Sequence, residues 1–146
     1  MLFQNSFCRV IFAMACFVVG SVNAQEKLSF KCTFGPGSAA NWDTGKVEIE
    51  RGNFGNPSAV IQFDAIDLEK GTARMIGNAG AADLAVMSSG AGVTLIEATR
   101  SGNYSFITIF VNRKPGAKEL LAVMSRHITS SSGPFPSQYY GSCVPW

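Results

Sequence analysis

Between Gly92 and Thr129 the chain reads GVTLIEAT, RSGN, YSFITIFV, NRKPGAKE and LLAVMSRHIT. Three runs rich in Val, Ile, Thr, Tyr and Phe are separated by turn-forming residues. β-Branched and aromatic side chains suit a pleated, half-buried surface, so this stretch predicts a meander of antiparallel strands. A two-residue hairpin turn is expected at Ser101-Gly102 or Gly102-Asn103. Such a turn pairs odd positions of the first strand with even positions of the second. One face then holds Val93, Leu95, Glu97, Thr99, Tyr104, Phe106, Thr108 and Phe110; the other holds Thr94, Ile96, Ala98, Ser105, Ile107 and Ile109. A three-residue loop exchanges these partnerships, because side chains alternate with period two. Neither face is plainly polar. The pair therefore needs two covers, or one cover and a ligand, a partner or a membrane.

The rest of the chain repeats the pattern in shorter units. Leu28–Phe34 alternates as a first strand, and Gly35-Pro36-Gly37-Ser38 is expected to end it. Trp42 falls in a short loop. In Lys46–Glu50 (KVEIE) the alternation predicts Val47 and Ile49 inward and the charges outward. Strands are expected at Val60–Phe63, Thr72–Ile76 and Asp83–Ser88, with turns at Asp67–Gly71 and Gly77–Gly80. No stretch keeps a helical period over ten residues. Gly133–Gly141 carries Pro134 and Pro136, too Pro-rich for a central strand, and is expected to lie across one end. The sum is an all-β fold of about eight strands, a single antiparallel meander closed as a barrel, with a β-sandwich as the alternative. Closure is favoured because it removes exposed strand edges.

Residues 1–24 read as a signal peptide. Arg9 precedes an apolar run from Val10 to Val22, and Val22-Asn23-Ala24 offers small residues for cleavage. Thirteen helical residues reach only about 20 Å, short of a ~30 Å hydrocarbon core, so no transmembrane anchor is expected. The competing reading is a lipoprotein anchored through Cys16. The remaining Gln25–Trp146 forms one domain. Its charges nearly cancel: of 12 Lys and Arg only Arg9 lies in the leader, against 10 Asp and Glu in all. They form no basic stripe, which speaks against nucleic acid as a partner. Cys8 and Cys16 leave with the leader. Cys32 and Cys143 remain and are expected to form a disulfide joining the first and last strands, in an exported (periplasmic or extracellular) setting.

Chemistry-bearing residues are few. His127 is the single histidine. A hydrolase would need it beside a nucleophile such as Ser125 or Ser130, but Ser125 lies two residues away on the same strand. One histidine and no free cysteine pair leave no zinc ligand set, and no cofactor is expected. Asp64, Asp67 and Glu69 form an acidic turn without calcium-loop spacing. Glu97 sits among apolar neighbours, and Arg126, on the next strand of the meander, is the candidate partner for a buried ion pair. The opposite reading puts Glu97 on an outer, solvated face. Asn103-Tyr104-Ser105 matches a glycosylation sequon.

Phe30-Lys31-Cys32-Thr33-Phe34-Gly35-Pro36-Gly37, Leu95-Ile96-Glu97, Ser101-Gly102-Asn103, Ser125-Arg126-His127 and Ser137-Gln138-Tyr139-Tyr140-Gly141-Ser142-Cys143 together resemble a set of small exported bacterial proteins of unknown function. Those proteins usually carry His before Ser-Arg-His, where this chain has Met124. The resemblance implies an exported, disulfide-bonded β domain. It brings no activity, and it singles out Arg126, His127, Gln138 and Tyr139 as a functional cluster.

The expected function is a non-enzymatic exported binding or interaction protein. One version is a lipocalin-like carrier of a small apolar ligand, which requires a cavity of ~300 Å³ or more against the Val93–Val111 hairpin. Another is an inhibitor of an envelope enzyme, presenting an exposed aromatic patch. A hydrolase using His127 is the remaining alternative.

Overall fold

The computed structural model describes residues 27–77, 80–111, 116–131 and 133–146. The expected signal peptide, residues 1–24, and Cys16 with its lipoprotein reading lie outside them. The described chain is all-β, with nine strands: β1 (Leu28–Asn41), β2 (Glu48–Asn53), β3 (Ala59–Asp67), β4 (Thr72–Gly77), β5 (Gly80–Ser89), β6 (Gly92–Ala98), β7 (Tyr104–Phe110), β8 (Leu120–Ser130) and β9 (Gly133–Pro145). Their order is β2-β1-β3-β4-β5-β6-β7-β8-β9, and a further β1–β9 pairing closes the sheet. Eight strands make an antiparallel barrel, and β2 is an extra strand.

The closing strands differ most from the sequence expectation. β1 does not end at Gly35-Pro36. Its register against β9 shifts there by one residue, from Phe34 opposite Gly141 to Gly37 opposite Tyr139. The extra residue is a bulge, which bends a strand without ending it. On its other edge β1 pairs with β3 up to Phe34 and with β2 from Pro36. The far half of β1 thus parts from β3 while staying paired with β9 through Ala39, and it carries β2 beyond the barrel rim as a projecting hairpin. Val47 and Ile49 do not point inward. They are 57% and 73% exposed, because this hairpin has no second layer to bury either face.

β9 is a full barrel strand rather than an end cap. Pro134 and Pro136 fall in the segment that pairs with β8 alone, and β1 joins only from Ser137 onward. A missing N–H is tolerated where one strand edge is open. Further along, the β1–β9 seam is unusually close. A Cβ added to Gly141 would run into the Thr33 carbonyl and the Phe34 ring, and one added to Gly37 would meet the Gln138 carbonyl and the Tyr139 ring. Glycine on one strand makes room for the aromatic ring of the other.

The β6–β7 hairpin has the three-residue loop, not the two-residue one. The Gly102 N–H donates to the Thr99 carbonyl (3.0 Å) and the Thr99 N–H to the Asn103 carbonyl (2.9 Å). Gly102 takes φ +82°, the left-handed conformation that closes such a loop. Odd positions therefore pair with odd: Val93 with Ile109, Leu95 with Ile107 and Glu97 with Ser105. Those residues point inward. Thr94, Ile96, Phe106 and Thr108 form the outer face.

Successive hydrogen-bonded rungs build the core. One runs Leu120–Cys143–Cys32–Ile61, the next Val93–Ile109–Ala122–Gly141–Phe34, the next Leu95–Ile107–Met124–Tyr139–Gly37. Cys32 and Cys143 face each other directly and form the expected disulfide, with Cα atoms 4.0 Å apart. Phe34, Phe63, Leu95, Ile107 and Cys32 are fully buried. This packing lies toward the end where β6 and β8 begin and β3 finishes, which we call the closed end; a depression of about 440 Å³ lined by Phe30, Leu120 and Trp146, among others, lies outside it.

Candidate ligand cavity at the open end of the barrel

One rung further, the inward residues change character. Glu97 pairs with Ser105, Ser105 with Arg126, and Arg126 with Ser137. A run of four polar side chains thus crosses four neighbouring strands on the inner surface. Because barrel strands tilt, the rung climbs obliquely toward the projecting hairpin. Its first three members border a cavity of about 500 Å³ lined by Phe54, Ile61, Met75, Ala82, Glu97, Ser105, Ile107, Met124 and Arg126, among others, while Ser137 lies outside that lining. The floor is apolar and one wall is polar. This cavity is open to solvent at the end where β3 and β5 begin.

Phe54 stands at its edge. The residue follows β2, and its backbone N–H donates to the Gly35 carbonyl (2.7 Å), which turns the segment back over the barrel where β1 parts from β3. Its ring lies 5.2 Å from that of Tyr139 and meets Phe34 edge-on at 6.5 Å. The guanidinium carbon of Arg126 lies 5.5 Å from the centre of the same ring. Sequence reasoning passed over Phe54 because it stands in a Gly-, Asn- and Pro-rich stretch without strand alternation. It also passed over Ser105 and Ser137, since a lone serine in a strand reads as an outward residue until the register is known.

Glu97 and Arg126 share the rung but do not form an ion pair. They lie two strands apart, about 10 Å along the rung at the usual strand spacing, with Ser105 between them. Among the described residues the ion pairs are Asp67–Lys70 and Asp64–Arg74, and neither involves the cavity. Arg126 is partly buried with no carboxylate against it among the described residues. Ser137 is only 7% exposed, and its hydroxyl oxygen is shut off from solvent without a hydrogen-bond partner.

The cluster Arg126, His127, Gln138 and Tyr139 divides across the barrel wall. Arg126 and Tyr139 face inward and both touch Phe54. His127 and Gln138 are exposed on the outside. The His127 ring packs on Phe106 at 5.6 Å, which in turn stacks with Tyr104 at 6.5 Å. No serine hydroxyl or carboxylate makes a hydrogen bond with His127 among the described residues. Asn103 is tied into the structure: its side-chain oxygen accepts from the Thr129 N–H (2.9 Å), fastening the hairpin tip to β8.

The acidic turn lies at the other end, between β3 and β4. Arg74 donates twice to Asp64, at 2.9 and 2.6 Å, and these bonds hold the Asp64 carboxyl below its ordinary range. The Asp67 carboxyl is likewise lowered, chiefly by the Lys70 backbone N–H that it accepts at 2.9 Å. Among the described residues no group of three or more His, Cys, Asp and Glu is placed to hold a metal ion. No helix among them is long and apolar enough to cross a membrane.

Comparison with family models, with curated proteins and with solved structures gives no match. The functional reading therefore rests on the chemistry of the cavity.

Proposed function

We propose that this barrel is a non-enzymatic binding protein that receives a small molecule in the cavity at its open end, and that it works outside the cytoplasm, in the periplasm or beyond. The observation that carries the reading is the cavity of about 500 Å³ with an apolar floor and one polar wall. Its size falls within the range of small-molecule sites, and a few polar groups on an otherwise apolar lining are what fix a ligand's orientation. The disulfide and the leader-like sequence support the exported setting.

The test is titration with a neutral apolar fluorophore, N-phenyl-1-naphthylamine. The wild-type protein is expected to bind one equivalent saturably. Ala82→Phe and Ala59→Phe, two small residues of the cavity lining, are expected to abolish that binding while melting like the wild type. Absence of saturable binding, or undiminished binding in both filled variants, refutes the proposal.

A second reading, a protein-binding module such as an inhibitor of an envelope enzyme, draws on the outer wall. There Met87, Leu121 and Tyr140 are 64%, 62% and 51% exposed, and Tyr104 stacks with Phe106. Exposed apolar area of this kind is a common mark of interaction sites. Leu121→Asp with Tyr140→Asp should then abolish capture of a partner from envelope extract and leave fluorophore binding intact.

A further inference from the structure

The polar rung has a direction. At one end is a partly buried guanidinium without a counter-ion, flanked by its two cross-strand partners, Ser105 and Ser137. Directly paired residues on one sheet face hold their Cβ atoms about 4.5–5.5 Å apart, so the Arg126 and Ser105 side chains, which both line the cavity, can converge on one small group. Arg126 lines the cavity with no carboxylate against it among the described residues. An anionic oxygen placed there supplies the counter-charge and accepts from the guanidinium N–H groups. The Phe54 ring, 5.5 Å from the guanidinium carbon, borders the same position. Two strands away, Glu97 borders the same cavity and disfavours a second negative charge there.

We infer that the ligand is a monoanion with an apolar body, its carboxylate or similar head held by Arg126 beside Ser105 and its body on the Ile61, Met75, Ile107 and Met124 floor. This rests on the cavity being a ligand site, and deepens that reading by fixing the ligand's charge and orientation. Arg126 recognises the head by charge-assisted hydrogen bonds, which are stronger than neutral ones. The body supplies binding through burial of apolar surface, and Glu97 excludes molecules with an acid at both ends.

The test compares octanoate, octanol, octylamine and octanedioate by calorimetry at neutral pH. Octanoate is expected to bind the wild-type protein at least tenfold more tightly than the other three. Arg126→Gln should weaken octanoate by about ten- to hundredfold, the range of a hydrogen bond to a charged group, and leave octanol within about twofold. Arg126→Lys should recover part of the loss. Ser105→Ala should weaken octanoate by several fold, and Glu97→Gln should narrow the gap between octanoate and octanedioate. If octanol or octylamine binds as well as octanoate, and Ala82→Phe blocks that binding, the cavity is a ligand site and the anion assignment is wrong. If none of the four probes binds and the neutral fluorophore does not bind either, the binding function itself fails.

Discussion

The two ends of this barrel treat polar groups in opposite ways. At the closed end Asp64 and Asp67 sit at the surface, each paired with a cation and each accepting hydrogen bonds. The interior beneath them is filled by Phe63, Ile66 and Phe30, and the disulfide lies in the wall. At the open end Glu97, Arg126 and Ser137 face inward with no ion pair among them, and the Ser137 hydroxyl has no hydrogen-bond partner. One end is arranged for stability. The other carries unmet electrostatic demands that folding alone does not explain, and such departures from local consistency are expected where a protein binds something.

This contrast can be attacked in steps of decreasing size. Replacing Cys32 and Cys143 together by serine should cost most. The bond spans a sequence separation of 111 residues, for which the chain-entropy model gives roughly 4–5 kcal/mol, read from the denaturant midpoint of oxidised wild type against the variant. Phe63→Ala, which empties a fully buried site, should cost about 3–5 kcal/mol in the same assay. At the open end the sign should reverse: Ser137→Ala removes a buried orphan hydroxyl and should leave stability unchanged or raise it by about 1 kcal/mol. A Ser137→Ala protein that lost several kcal/mol would show the open end to be as tightly built as the closed one.

The smallest effect depends on pH. The Asp64 and Asp67 carboxyls are held below the ordinary value of 3.8, so the folded state binds their protons more weakly than the unfolded chain. Their contribution is present above that value and is lost as pH falls through their lowered folded-state pKa values. Arg74→Ala should let the Asp64 carboxyl rise toward the ordinary value, observed by side-chain NMR titration, and should flatten the acid limb of the stability curve slightly.

The fold class was legible because alternation with period two runs through nearly every strand, and the disulfide followed from having two cysteines beyond the leader-like segment. What failed were features decided by one residue. Ser101-Gly102 and Gly102-Asn103 both look like two-residue turns, yet Thr99 and Asn103 extend the ladder by one pair and exchange which β7 residues share a face with the odd residues of β6. Pro134 and Pro136 suggested an end cap, but the edge they leave unpaired is already open. Of the site, Glu97 and Arg126 could be picked out as charges among apolar neighbours. Their separation could not, because it depends on the register across the connection from β7 to β8. Val47 and Ile49 alternate like core residues, and only the absence of a second layer shows otherwise.

The disulfide has a consequence beyond resisting unfolding. In a closed sheet the stagger accumulated around the circumference must return to the starting strand, and that stagger together with the strand number sets the barrel's radius. Cys32 and Cys143 bridge the last seam of the circuit at directly opposed positions. The bond thus acts as a gauge: β1 cannot slide on β9 to a wider or narrower closure without breaking it. The width of the mouth, and with it the spacing of Arg126 and Glu97 across the cavity, is covalently calibrated from the opposite half of the molecule.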